Sequence, residues 1–215
     1  SQDKDGRDWI AVSCEGEGAR IWWPNKDHIT AEGDSVRMAY TVPSNLVAVG
    51  NGKLRSVKDL GEKTTYEWFV SNPINNYNIS VQIGNYVTVQ DTFLKDNDTH
   101  FMNHYVLDYN KELASNYFPQ SKEVIRFYEK YFGDYQWYED GYKLIEVPYL
   151  GMEHQSAVTY GNGFSMYNGV RSKSWPMYGV IDPLIIHETG HEWFGNSVTA
   201  SDPTHIWIHE GLQVY

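Results

Sequence analysis

Short runs of β-branched and aromatic residues, separated by polar turn residues, fill the first half of the chain. Runs of this length and composition predict β-strands rather than helices. The turn Gly50-Asn51-Gly52 lies between two of them and predicts a tight hairpin. The predicted strands cover residues 10–12, 36–42, 46–49, 64–70, 79–83 and 100–107.

The spacing of apolar residues changes from about Tyr109 onward. There, one face of a predicted helix carries apolar side chains three and four positions apart, and Gly133 is expected to end that helix. These side chains are Val124, Phe127, Tyr128 and Tyr131. A strand is expected at residues 143–147. The sequence therefore predicts an α+β fold, with a β-rich amino-terminal domain over residues 1–108, itself incomplete, and a mixed second domain over residues 109–215.

Charge and cysteine content exclude several classes of protein. The formal net charge is -11, and the clusters of Lys and Arg that phosphate backbones require are missing, so we expect no nucleic-acid partner. The single cysteine, Cys14, excludes an intrachain disulfide. No apolar run reaches the roughly 18 residues of a membrane span. We expect a soluble chain. The sequence does not indicate its oligomeric state or compartment, and a periplasmic or secreted location fits if a leader was removed.

The strongest chemical signal is the pentad His187-Glu188-Thr189-Gly190-His191. Two histidines four positions apart lie on one face of a helix, so both imidazoles can reach one zinc ion. Asp182-Pro183 is a suitable start for this helix, and Gly195 is expected to end it. Glu188 then points toward the open coordination position, where a carboxylate can act as general base.

A catalytic zinc ion keeps three protein ligands and one water, so a third ligand is needed. Glu210 is the candidate, because the residues between His191 and Glu210 leave room for a helix end, a loop and a second helix. The alternative is that the pentad arose by chance, about once per hundred chains of this size from typical residue frequencies. The helical context and the spacing of Glu210 argue against chance, and we expect one Zn²⁺ ion.

These residues resemble the aminopeptidase N family of gluzincin zinc metallopeptidases. The segment from His187 to Asn196 is similar to the zinc helix of that family, and the segment from Trp207 to Leu212 is similar to the one that carries its third ligand. The resemblance implies a thermolysin-like catalytic domain over residues 109–215, truncated after the third ligand. It also implies a zinc-dependent aminopeptidase that acts on peptides with a free amino terminus.

The segment Leu150-Gly151-Met152-Glu153-His154 resembles the exopeptidase motif of the same family, Gly-x-Met-Glu-Asn. The resemblance implies that this segment binds substrate and that Glu153 holds the free amino group. Two positions depart from the motif, since Leu150 replaces the first glycine and His154 replaces the asparagine that helps to place the substrate carbonyl. For Glu153 the alternative is a surface carboxylate that follows a strand.

A second anchor for the amino group is Glu15, in a glycine-rich segment that resembles the one reaching from the β domain into the active-site cleft. Glu17 is the weaker candidate. The alternative for both is a pair of solvated charges in a turn.

The family also uses a tyrosine downstream of the third ligand, and no residue here matches it, because the chain ends at Tyr215. The helix that carries Glu210 is then short, and short helices are unstable without tertiary support. We therefore expect a fragment of a larger enzyme that binds zinc weakly or not at all. Three other functions stay open: a zinc endopeptidase, an epoxide hydrolase on the same scaffold, and a noncatalytic peptide-binding module.

Overall fold

A computed structural model describes residues 1–15, 18–26, 28–165 and 181–214. These contain four β-sheets and five α-helices, so the fold is α+β as predicted. The strands are β1 (Ile10–Ala11), β2 (Glu32–Gly33), β3 (Val36–Pro43), β4 (Val47–Gly50), β5 (Lys53–Asp59), β6 (Lys63–Val70), β7 (Ile74–Asn75), β8 (Val81–Gly84), β9 (Tyr86–Lys95), β10 (Asp98–Leu107), β11 (Leu144–Glu146), β12 (Gly151–Met152) and β13 (Val158–Tyr160). The helices are α1 (Ala19–Trp22), α2 (Lys111–Tyr117), α3 (Ser121–Phe132), α4 (Pro183–Gly190) and α5 (Trp207–Val214).

The first eight strands form three small sheets, in the orders β1-β8-β4, β3-β6-β5 and β2-β7. Every pairing within them is antiparallel. The turn at residues 50–52 is not the hairpin that the sequence predicted, because β4 pairs with β8 whereas β5 pairs with β6. It carries the chain from one sheet to another.

A five-stranded sheet, in the order β12-β13-β11-β10-β9, supports the second half of the chain. In it β10 pairs with β9 antiparallel and with β11 parallel. The sheet thus takes strands from both sides of residue 108, so the change of apolar spacing there does not coincide with a break between sheets. The division into two domains at that residue stays a prediction.

Helices α2, α3 and α4 cover this sheet and enclose the larger apolar core, which includes Met102, Phe118, Tyr128, Leu144, Ile185 and Trp193. Helix α3 buries Val124, Ile125 and Tyr128. Phe127 and Tyr131, which the spacing places on the same face, lie at its edge, with exposed fractions of 49% and 60%. Their rings contact each other at 4.9 Å between centroids.

Helix α4 begins as the sequence predicts. The Asp182 side chain accepts a hydrogen bond from Leu184 N at 2.8 Å, and Pro183 occupies the first turn. The hydroxyls of Tyr117 and Tyr160 also donate to Asp182, which is fully buried. The start of the helix is therefore anchored to the core.

The end of α4 differs from the prediction. The helix ends at Gly190 rather than at Gly195, and the chain continues through turns in which Phe194 N donates to Gly190 O. A Cβ on Gly190 would lie 2.2 Å from the Tyr128 hydroxyl oxygen, so α4 and α3 can approach this closely only with glycine there. Among the described residues, no helix is both long enough and apolar enough to cross a membrane.

Candidate metal centre and active site

The side chains of His187, His191 and Glu210 converge between α4 and α5, and we call them the three-donor site. The two Nε2 atoms are 3.2 Å apart. Glu210 Oε2 lies 3.4 Å from His187 Nε2, and Oε1 lies 3.5 Å from His191 Nε2. Ligands about 2.0–2.1 Å from a tetrahedral zinc ion are separated by about 3.4 Å, so the observed triangle has the right size for zinc.

Hydrogen bonding prepares His191 for metal binding. Its Nδ1 lies 2.9 Å from the Phe194 carbonyl oxygen, which can only accept a hydrogen bond. Nδ1 therefore carries the proton, and Nε2 presents a free lone pair to the three-donor site. The turns that end α4 early supply this carbonyl, so the deviation from the predicted helix has a direct consequence for the site.

Burial lowers the pKa of both histidines, which favours the neutral form that binds metal. For His187, the neighbouring His191 lowers the pKa further. The chemistry of the donors, two neutral imidazoles and one carboxylate, matches the ligand set of catalytic zinc sites.

His209 is adjacent to Glu210 but is not one of the three donors. It supports the site from behind. It is fully buried, and its Nε2 accepts a hydrogen bond from Ala200 N at 2.9 Å. Its ring stacks on Tyr77 at 6.4 Å between centroids. Both contacts hold the first turn of α5, and with it Glu210, against the rest of the site.

Glu188 is buried beside the three-donor site, with an exposed fraction of 7%. Burial raises its pKa well above the ordinary value, and the carboxylates of Glu153, Glu210 and Glu15 raise it further. Gly151 adjoins it so closely that a Cβ there would lie 2.4 Å from Glu188 Oε1. Any larger residue at position 151 would displace this carboxylate.

Glu153 is not the surface carboxylate that one alternative reading expected, since its exposed fraction is 3%. One of its oxygens lies within 4.8 Å of ligand atoms of both Glu188 and His191. Burial raises the pKa of Glu153 to about 8, and Glu15 and Glu210 also raise it. A cation in this space, whether a metal ion or an ammonium group, would offset the repulsion among these carboxylates.

The remaining predicted residues differ in their environment. Met152 is buried, and Glu15 is exposed but close enough to raise the pKa of Glu153 and Glu188. His154 is fully buried, and burial lowers its pKa to about 3. Neither of its ring nitrogens has a hydrogen-bond partner among the described residues, and its contact with substrate stays a prediction. Glu17 lies outside the described residues.

Sequence reasoning missed the residues that hold Glu153 in place. The Tyr77 hydroxyl donates to Glu153 Oε1 at 3.3 Å, and Asn196 Nδ2 donates to the Glu153 carbonyl at 2.9 Å. Asn78, the residue after Tyr77, donates through Nδ2 to Asn196 Oδ1 at 2.7 Å. This bond ties the segment that carries Tyr77 to Asn196. Asn196 is part of the segment that resembles the zinc helix, but no local pattern could have pointed to Tyr77.

Comparisons with known proteins agree with this geometry. Residues 116–215 match the family model described as the Peptidase family M1 domain. The chain is 25% identical to the Tricorn protease-interacting factor F2 of Thermoplasma acidophilum, covering 100% of this chain and 26% of that protein. It is 24% identical to a leucyl aminopeptidase of Saccharolobus solfataricus (96% and 26%) and 27% identical to the human glutamyl aminopeptidase (94% and 21%).

Among solved structures, an M1 zinc metallopeptidase from Deinococcus radiodurans has a TM-score of 0.79 at 18% identity, covering 96% of this chain and 44% of that one. This likeness supports the fold. The chain spans about a quarter of the length of the curated relatives it matches. Taken together with the matched domain, these similarities support an aminopeptidase N-like member of the gluzincins.

Proposed function

We propose that this protein is a zinc-dependent aminopeptidase, which releases amino-terminal residues from peptides, and that the described residues supply the zinc donors, the general base and the amine anchor. The observation that carries the proposal is the convergence of the three-donor site with two further buried carboxylates. Glu188 and Glu153 each bring a carboxylate oxygen within 4.8 Å of the His191 ligand atom.

His187, His191 and Glu210 would hold the zinc ion. When bound, zinc supplies Lewis acidity, which polarises the scissile carbonyl and makes a water molecule more acidic. The fit rests on the size of the donor triangle and on the free lone pair of His191 Nε2 described above.

Glu188 is the proposed general base. Its carboxylate accepts a proton from the attacking water molecule and later returns a proton to the leaving amine, so that one group acts first as base and then as acid. Gly151 leaves room for this carboxylate beside the three-donor site. The orientation of the base therefore depends on the strand β12 that carries Gly151.

Glu153 is the proposed anchor for the α-ammonium group of the substrate, with Glu15 as a second carboxylate nearby. A buried carboxylate pairs strongly with an ammonium group, because both are shielded from water. The fixed separation between Glu153 and the three-donor site then selects the first peptide bond. This arrangement distinguishes an aminopeptidase from an endopeptidase that has the same zinc chemistry.

The test is a panel of aminoacyl-anilides and their N-acetylated counterparts, assayed with the zinc-loaded protein. We expect release of aniline from the free-amino compounds and little from the acetylated ones. Cleavage of blocked peptides at internal bonds would instead identify an endopeptidase. Peptide binding without any turnover would identify a noncatalytic module.

A further inference from the structure

Glu153 begins a short loop, residues 153–157, that joins β12 to β13. Ala157 N closes this loop by donating to His154 O at 2.8 Å. Ser156 has a φ of +59°, a left-handed conformation that is unfavourable for residues other than glycine, asparagine and aspartate. The surroundings must therefore hold the loop in this shape.

Three different parts of the protein hold Ser156, which is fully buried. Its backbone N donates to Glu192 Oε1 at 2.8 Å. Its side-chain Oγ accepts from Gly52 N at 2.9 Å, and its carbonyl accepts from Lys143 Nζ at 2.7 Å. Each polar group of Ser156 thus fixes the loop to a separate segment.

The turn at residues 50–52, which carries the chain between two sheets, meets the 153–157 loop directly. Fully buried Asn51 donates through Nδ2 to Gln155 O at 2.8 Å and to Asn78 O at 2.8 Å. Its Oδ1 accepts from Ser80 N at 2.8 Å. The Asn51 side chain therefore ties the loop to the backbone just before β8.

Gly52 makes this turn rigid. Its φ is +72°, and a Cβ at this position would lie 2.0 Å from the Phe69 carbonyl oxygen. No other residue fits here without moving the neighbouring strand, so the Gly52 N–H and carbonyl groups occupy fixed positions against the loop.

Lys143 bridges the turn and the loop. Its exposed fraction is 4%, and its Nζ donates to Gly52 O and to Ser156 O, both at 2.7 Å. Burying an amine is unfavourable unless its donors are satisfied, and burial lowers the pKa of Lys143 to about 7. The two carbonyl groups that accept from Lys143 belong to Gly52 and Ser156, which are 104 positions apart in the chain.

We propose that the 50–52 turn, acting through Lys143 and Ser156, is a positioning element that sets the separation between the Glu153 carboxylate and the three-donor site. The carboxylate accepts a hydrogen bond from the Tyr77 hydroxyl at 3.3 Å, and the backbone that carries it belongs to the loop, so its position follows that of the loop. The inference rests on the proposed role of Glu153 as amine anchor.

The test compares two inhibitors of the zinc-loaded protein: leucine hydroxamate and its analogue without the amino group, 4-methylpentanohydroxamate. The ratio of their dissociation constants measures the contribution of the amine contact. In Lys143→Met and in Ser156→Gly we expect this ratio to fall by about 3- to 30-fold, the usual size of such indirect coupling. Zinc content and affinity for the analogue without the amino group should stay at their wild-type values.

Ser156→Gly is expected to fold even if Lys143→Met does not, since glycine accepts the left-handed conformation without strain. Ser71→Ala is the matched control. Ser71 Oγ also donates a hydrogen bond, at 2.6 Å, but its acceptor is Asp140 Oδ1, which lies outside the 153–157 loop. The control should keep the wild-type ratio.

Three outcomes separate the possibilities. If the wild type prefers the amine and both loop variants keep that preference, the positioning role is wrong. Loss of thermal stability with an unchanged ratio would likewise show a merely structural role. If the wild type itself does not distinguish the two inhibitors, the amine anchor at Glu153 is wrong, and the positioning role falls with it.

Discussion

Replacing Glu188 with glutamine is expected to lower kcat by about 10²- to 10⁴-fold, the usual contribution of general acid–base catalysis. Glutamine has nearly the same shape as glutamate, but its amide cannot accept the proton of the attacking water molecule. Because Glu188 is packed against Gly151, where a Cβ would lie 2.4 Å from its carboxylate, the amide should occupy the same position. The measurement is kcat with an aminoacyl-anilide.

Zinc content and thermal stability of Glu188→Gln serve as controls, since this residue lies outside the three-donor site. Both should match the wild type. A kcat close to that of the wild type, measured on zinc-loaded protein, would show that another group accepts the proton.

Replacing Glu153 with glutamine is expected to lower kcat/KM for free-amino substrates by about 10- to 150-fold. A hydrogen bond to a charged group contributes about 1.5–3 kcal/mol, and each 1.4 kcal/mol corresponds to a factor of ten. The effect should be large because Glu153 is buried, with an exposed fraction of 3%, so water cannot replace the lost ion pair.

Glu146→Gln is the matched control for Glu153→Gln. Glu146, in β11 of the five-stranded sheet, is also a buried carboxylate, but its oxygens accept hydrogen bonds from Leu107 N and Asn110 Nδ2. Glu146→Gln should leave the preference for substrates with free amino groups unchanged. If Glu153→Gln also retains that preference, a different group, with Glu15 the first candidate, holds the ammonium.

The elements that the sequence predicted correctly are those with strong local signals. The start of α4 follows from Asp182 and Pro183, and β6 and β11 follow from apolar runs. Strand β5 was not predicted, because it is exposed along its whole length and so lacks an apolar run. The hairpin predicted at residues 50–52 was wrong, since a turn sequence does not report which strand its neighbours will pair with.

The candidate site divides in the same way. His187, Glu188 and His191 could be proposed from a pentad on one helix, and the structure brings Glu210 to both histidines. The supports of Glu153 could not be predicted, because Tyr77 lies 76 positions away in the chain and such contacts leave no local pattern. The same holds for Lys143, whose contact with Gly52 depends on how the sheets pack.

The length of α5 led us to expect weak zinc binding or none from the sequence; that expectation is untested, and the geometry of the donors leads us to predict binding instead. In the structure, Glu210 lies 3.4 Å and 3.5 Å from the two histidine Nε2 atoms, which favours binding. The same side chain is 41% exposed, so solvent can still compete at this donor.

The most direct test of the three-donor site is zinc titration against a competing chelator, with the metal content of the dialysed protein as a second readout. We expect one saturable zinc per chain in the wild type and in Glu188→Gln, and loss of that binding in His191→Ala and in Glu210→Ala. Absence of saturable binding in the wild type, or a site that survives both ligand substitutions, would contradict this expectation.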